Sequence, residues 1–183
     1  MAVNAGLAYG KFIPTDEVSR HPTLPLYIIG RWYGHQTATG DATAGTVQAS
    51  LCPENLPSGY PLDFFFTVYN LLMKGPLTAG DLHKLDGYSD DWTGSANQRM
   101  SCQIVGSDDT IENLPSSSSI PFWLAWLMRR VIDGAGNQLG AIKATWETNV
   151  NLGAYILDAS GLVLMDHRIM PDFLQRLIKG NHA

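Results

Sequence analysis

Residues able to do chemistry are present in this 183-residue chain, and their spacing decides what they do. Glycines that cradle a phosphate must open a helix, whose free N–H groups meet the anion. Gly134-Ala-Gly-Asn-Gln-Leu-Gly140 has the spacing G-x-G-x-x-x-G and leads into an alternating segment, so it reads as a hairpin loop. Gly40 and Gly45 likewise lead into Thr46–Leu51, and no Gly-Lys-Ser/Thr follows. They read as a turn that reverses the backbone.

Metal chemistry needs convergent ligands. His21, His35, His83, His167 and His182 show neither i, i+4 spacing nor a His-x-His pair. Asp81–Gly87 lacks the alternate oxygen ligands and closing Glu of a calcium loop. Asp90-Asp91 and Asp108-Asp109 read as solvated loop carboxylates rather than as a cation site between subunits. Glu147 and Asp166 are carboxylates of the kind glycoside hydrolysis uses, yet nothing in the sequence pairs them. There is no G-x-S-x-G elbow. Cys52 and Cys102 form no Cys-x-x-Cys and read as small buried hydrophobes. The expectation is a protein without catalytic residues, metal or cofactor. A cupin-type barrel enzyme, in which two histidines and a carboxylate would have to converge, is a distant alternative.

The elements that position these residues are mostly strands. Val47, Ala49 and Leu51 alternate with Thr46, Gln48 and Ser50. Ile142, Ala144, Trp146, Val150 and Leu152 alternate with Lys143, Thr145, Glu147, Asn149 and Asn151. One wet and one dry face favours antiparallel sheet. Gly45–Leu51 and Gly140–Trp146 match in character, either as a duplication or as two amphipathic strands that look alike. Further strands are expected at Leu26–Tyr33, Leu62–Leu72, Arg99–Val105, Ala154–Leu157 and Leu162–Met165, the last two joined by a tight turn at Asp158-Ala-Ser-Gly161. Phe122–Ile132 is apolar all round and leans toward strand. Pro171–Gly180 carries a helix start, a glycine stop and a stripe of Phe173, Leu174, Leu177 and Ile178. The predicted fold is all-β, an antiparallel sandwich or barrel of roughly eight strands with one short C-terminal helix.

Residues 1–25 read as an extended N-terminal arm, and 26–183 as a single β-rich domain with a long loop excursion at about 75–98. Loops of that length usually carry function or contact a partner. Tyr88 and Trp92 within it, and Tyr9, Phe12 and Ile13 in the arm, are the candidate partner-binding residues.

Charged residues are only 16% of the chain, against about 25% on average. With five Trp and six Phe, this suggests a surface partly covered by partners. The net charge of −5 and the lack of a basic patch argue against nucleic acid. The N-terminus lacks a signal-peptide pattern, and the longest apolar run, Phe122–Met128, is too short to cross a bilayer as a helix. The expected location is a cytoplasm or something assembled there.

Gly40-Asp-Ala-Thr-Ala-Gly45 followed by the alternating Thr46–Leu51, with looser similarity over Gly140–Leu164, resembles small β-rich virion proteins of tailed bacteriophages. The likeness covers about a third of the chain. It implies a non-enzymatic virion protein of the decoration, cement or auxiliary class on the capsid surface. Its expected partners are the major capsid protein and copies of itself, as a trimer or dimer. A tail or head–tail connector position stays open, as does a carbohydrate-binding β-sandwich using Trp92, Tyr88 and Asp90 or Asp91.

Overall fold

The alternation of Thr46–Leu51 and Ile142–Trp146 is realised as two neighbouring strands in which Ile142 faces Leu51, Ala144 faces Ala49 and Trp146 faces Val47. All six side chains are buried. Each large one contributes about 1.5–3 kcal/mol by leaving water. The computed structural model describes residues 2–40, 46–74, 82–90, 97–99, 110–112, 118–119, 126–132, 134, 138–147 and 153–178.

In chain order the strands are β1 (Ala2–Arg20), β2 (Tyr27–Thr39), β3 (Thr46–Pro53), β4 (Phe64–Val68), β5 (Asn70–Lys74), β6 (Leu82–Asp90) and β7 (Asn97–Arg99). There follow β8 (Thr110–Glu112), β9 (Ser118–Ser119), β10 (Trp126–Ile132), β11 (Gln138–Leu139), β12 (Ala141–Glu147) and β13 (Ala154–Met165). A 3-10 turn (His167–Ile169) and α1 (Asp172–Gln175) close the described chain. Among the described residues the strands form one sheet in the order β11-β10-β4-β13-β2-β1-β3-β12-β6-β7, with β5, β8 and β9 paired to its sides. The sheet curls into a nearly closed barrel. No helix among the described residues is long and apolar enough to cross a membrane.

The all-β expectation therefore holds, with a short helical end, although one pairing is parallel. β1 pairs with β3 in parallel through Ala2–Gly10, then with β2 antiparallel through Lys11–Arg20. The changeover falls at Gly10, where a Cβ would lie 2.7 Å from the Trp32 ring and from the Tyr33 carbonyl oxygen. Only a residue without a side chain lets β1 pass that close to β2. The segment read as an arm, residues 1–25, thus belongs mostly to the sheet. Phe12 and Val18 lie in the core, and Val18 N–H donates to the Leu177 carbonyl, which ties β1 to the end of α1. Three prolines, polar spacing, small residues and the lack of periodicity suggested an arm, and the proline inside the strand is Pro14. It is tolerated at a bulge, where the β1–β2 register shifts between Pro14 and Ser19.

Other expectations change in detail. Asp158–Gly161 is no turn: β13 runs unbroken from Ala154 to Met165. Turn-type residues stay extended there because both edges of the strand are paired, to β2 on one side and to β4 and β5 on the other. Leu62–Leu72 divides at Tyr69 into β4 and β5. Part of the expected excursion at 75–98 joins the sheet, since β6 pairs with β12 along Leu82–Glu147 to Tyr88–Ala141. Residues 75–81 and 91–96, like most of Arg99–Val105, lie outside the described residues. β10 confirms the strand reading for the end of Phe122–Ile132, and β10 with β11 makes the hairpin expected around Gly134. The terminal helix is shorter than its pattern. Leu174 is buried beneath it, whereas Phe173 is exposed and meets the Tyr60 ring edge-on at 5.1 Å.

The core is aromatic at its centre. Trp32 stands edge-on to Phe66 at 5.5 Å, and Trp146 leans on Tyr155 at 5.4 Å. Phe64, Phe66 and Val68 of β4 alternate inward against Val163 and Leu157 of β13.

Candidate functional site

Because β2 and β13 have their inward parity in the core, the opposite parity forms a ladder across the outer face. Register fixes its rows. Ile13, Arg31 and Leu162 stand opposite one another on β1, β2 and β13. The next row is Lys11, Tyr33, Ser160 and Asn70, reaching β5. The third is His35, Asp158 and Leu72. Neighbouring side chains in a row are about 4.8 Å apart, and rows are separated by about 6.7 Å.

The upper part of this face carries outward aliphatic side chains among polar ones. A groove of about 300 Å³ is lined by Ile13, Pro14, Thr15, Asp16, Ile28, Arg31 and Leu162, with Gly30 at its floor. The β1 bulge opens it by lifting residues 15–18 off the β2 ladder. Beside it, half-buried Leu24, Ile28, Phe65 and Leu162 surround buried Leu26, Leu127 and Leu164. A solvent-facing sheet surface is ordinarily polar. Charge enters the groove at Arg31 and Asp16, and at the margin of the face Arg129 pairs with Asp63 at 3.2 Å. Aliphatic side chains set among polar and charged ones are the anatomy of an interaction surface.

The lower part is polar and aromatic. Tyr33 is 50% exposed. His35 Nδ1 and Asp158 Oδ1 are hydrogen-bonded across the strands. Together with Gly34, Asn70, Leu71, Leu72, Ala159 and Ser160 they line a second groove of about 450 Å³.

At the end of the barrel, the guanidinium of Arg130 is buried. Its Nη2 donates to Asn55 Oδ1 at 2.6 Å, and it stacks over the Phe64 ring at 5.3 Å. No carboxylate among the described residues pairs with it. Its role is to anchor the loop after β3: Nη1 also reaches the Leu62 carbonyl, and Glu54 Oε1 accepts from Phe12 N–H nearby. Burial pushes the neighbouring Cys52 thiol up to about 12, although Arg130 pulls it back by charge and hydrogen bond. Such a thiol is not a nucleophile at neutral pH. Elsewhere, Arg168 holds the Asp166 carboxyl down at about 2, its guanidinium and its backbone N–H both donating to the carboxylate. Burial lowers the His21 imidazole below its ordinary value, and His21 Nδ1 accepts from the Thr23 and Leu24 amides. Among the described residues no three His, Cys, Asp or Glu side chains gather as metal ligands.

The structure disperses the candidate residues of the sequence. Tyr9 is exposed at 54%, Phe12 is in the core, and Ile13 lines the upper groove. Tyr88 lies on β6, its side chain outside the described residues, as is all of Trp92. Sequence reasoning missed Tyr33, His35 and Asp158. The signal was partly there: Arg31, Tyr33 and His35 alternate with Trp32 and Gly34, which marks them as one outward parity. Asp158 was hidden by its turn-like context.

No protein-family model, curated protein or solved structure matches this chain.

Proposed function

We propose that the protein is a structural subunit of a larger assembly, a virion component of the decoration or cement type that docks on major capsid subunits. The observation that carries the docking surface is the outer face of β1, β2, β4 and β13, with Ile13, Ile28, Phe65 and Leu162 partly open to solvent. Aliphatic side chains on a solvent-facing sheet cost free energy in a lone molecule and are repaid when a partner covers them. The virion setting rests on the Gly40–Leu51 resemblance. Exposed Tyr9, Leu62 and Phe173 lie elsewhere on the surface and offer a second contact region for a protein held between neighbours.

The test is the mass in solution by light scattering across a wide concentration range, followed by co-sedimentation with phage capsids stripped of decoration protein. A dimer or trimer that pellets with capsids supports the reading. A monomer at every concentration that stays in the supernatant counts against it.

A further inference from the structure

We infer that the lower groove of the outer face, centred on Tyr33, is a carbohydrate-binding site that takes a neutral oligosaccharide. The inference stands apart from capsid docking, which uses the upper groove.

A sugar presents two chemistries at once. One face of a pyranose is a patch of C–H groups, which lies on an aromatic ring, and its rim is a set of hydroxyls that both donate and accept. Tyr33 supplies a half-exposed ring on a rigid strand. Around it the register places the groups that hydroxyls need. Ser160 lies directly opposite, Asn70 lies beyond Ser160 in the same row, and Asp158 stands one row along with its orientation held by His35. Asp158 as a carboxylate only accepts, whereas Ser160 and Asn70 do both. Leu72 adds an outward apolar side chain beside Asp158, whereas Leu71 and Ala159 turn their side chains into the core and border the groove from beneath.

Among the described residues the lining holds the Asp158 carboxylate and no Lys or Arg, with Lys11 outside it on the far side of Tyr33, so the groove itself disfavours a phosphate, a sulfate or an acidic sugar. With rows about 6.7 Å apart and columns about 4.8 Å apart, the groove spans roughly one or two sugar rings. Strand-borne groups paired on both edges are already ordered, which lowers the entropy cost of binding.

The experiment is a glycan array probed with the labelled full-length protein, with the best neutral oligosaccharide then titrated by NMR. Binding is expected, with shifts confined to β2, β5 and β13. Tyr33→Ala should weaken it about tenfold or more, while Tyr33→Phe keeps it within about threefold, because the ring rather than the hydroxyl does the stacking. Asp158→Asn and Asn70→Ala should each weaken it too, and they carry the test if Tyr33→Ala does not fold. Tyr9→Ala, another exposed tyrosine, should change nothing. The inference is overturned if no neutral glycan is retained, if only charged glycans are, or if binding survives the Tyr33, Asp158 and Asn70 variants.

Discussion

The indole N–H of Trp32 on β2 donates to the backbone carbonyl of Thr67 on β4 at 2.9 Å, reaching over Gly161 of the intervening strand β13. A Cβ at position 161 would lie 1.6 Å from that same oxygen. The Thr67 hydroxyl in turn accepts from Leu162 N–H at 2.9 Å, completing a polar crossing inside the sheet. Gly161→Ala should therefore cost at least about 3 kcal/mol, since no flexible side chain can move aside for a backbone oxygen. Urea unfolding would read this as a lower midpoint at unchanged slope, and a midpoint within error of wild type would refute the geometry.

Trp32→Phe probes the other side of the crossing. It keeps most of the apolar ring but leaves a buried carbonyl without its donor and opens a small void. The expected loss is about 2–4 kcal/mol, and it should be far from additive with Gly161→Ala because the two sites share Thr67. A double-mutant cycle measures the coupling.

This crossing also shows what was readable beforehand. Hydrophobic parity gave β3 and the buried face of β12 through Trp146, because burial of alternate side chains is a local property, whereas β2 was expected to stop at Tyr33 and runs on to Thr39. It misread Asp158–Gly161, where turn-forming residues lie in a strand that both neighbours hold extended. Their reasons for being there are tertiary: Gly161 makes room for Thr67, and Asp158 meets His35 from across the sheet. The candidate site suffered in the same way. Outward Tyr33 and His35 could be read from the alternation of β2, but their partners on β13 and β5 depend on register, which one strand does not encode.

Arg130 invites a comparison of two ways to disturb a buried charge. Asn55→Ala removes its best acceptor while leaving the cation buried, and should cost about 2–3 kcal/mol. Arg130→Met removes the charge together with the need for an acceptor, fills similar volume and should cost less. The order is the test: if Arg130→Met unfolds at lower urea than Asn55→Ala, the guanidinium contributes stability beyond satisfying its own burial.

Cys52 gives a pH signature. Its folded thiol titrates at about 12, above the ordinary value near 9, so its contribution is fully present below pH 9. Between pH 9 and 12 the unfolded chain loses this proton while the folded one keeps it, so stability falls as pH rises. Replacing Cys52 with Ala should flatten that alkaline decline in urea titrations. In a Cys102→Ser background, a thiol reagent at pH 8 should label the folded protein only at the rate at which it unfolds. Rapid labelling without unfolding would contradict the buried, protonated thiol.

The upper groove separates assembly from folding. Ile13 and Leu162 face each other across Arg31 on the outer parity, and neither is needed to fill the barrel interior. Ile13→Lys and Leu162→Lys place a charge where a dry partner surface would sit, while an unbound molecule can extend the new ammonium into water. Thermal midpoints should move only slightly, by about 1 kcal/mol or less in stability. Self-association and capsid co-sedimentation should both drop by about tenfold or more, because an unpaired charge trapped in an interface is costly. If the variants fold and associate as wild type does, the partner docks elsewhere, and exposed Tyr9, Leu62 and Phe173 become the surface to substitute next.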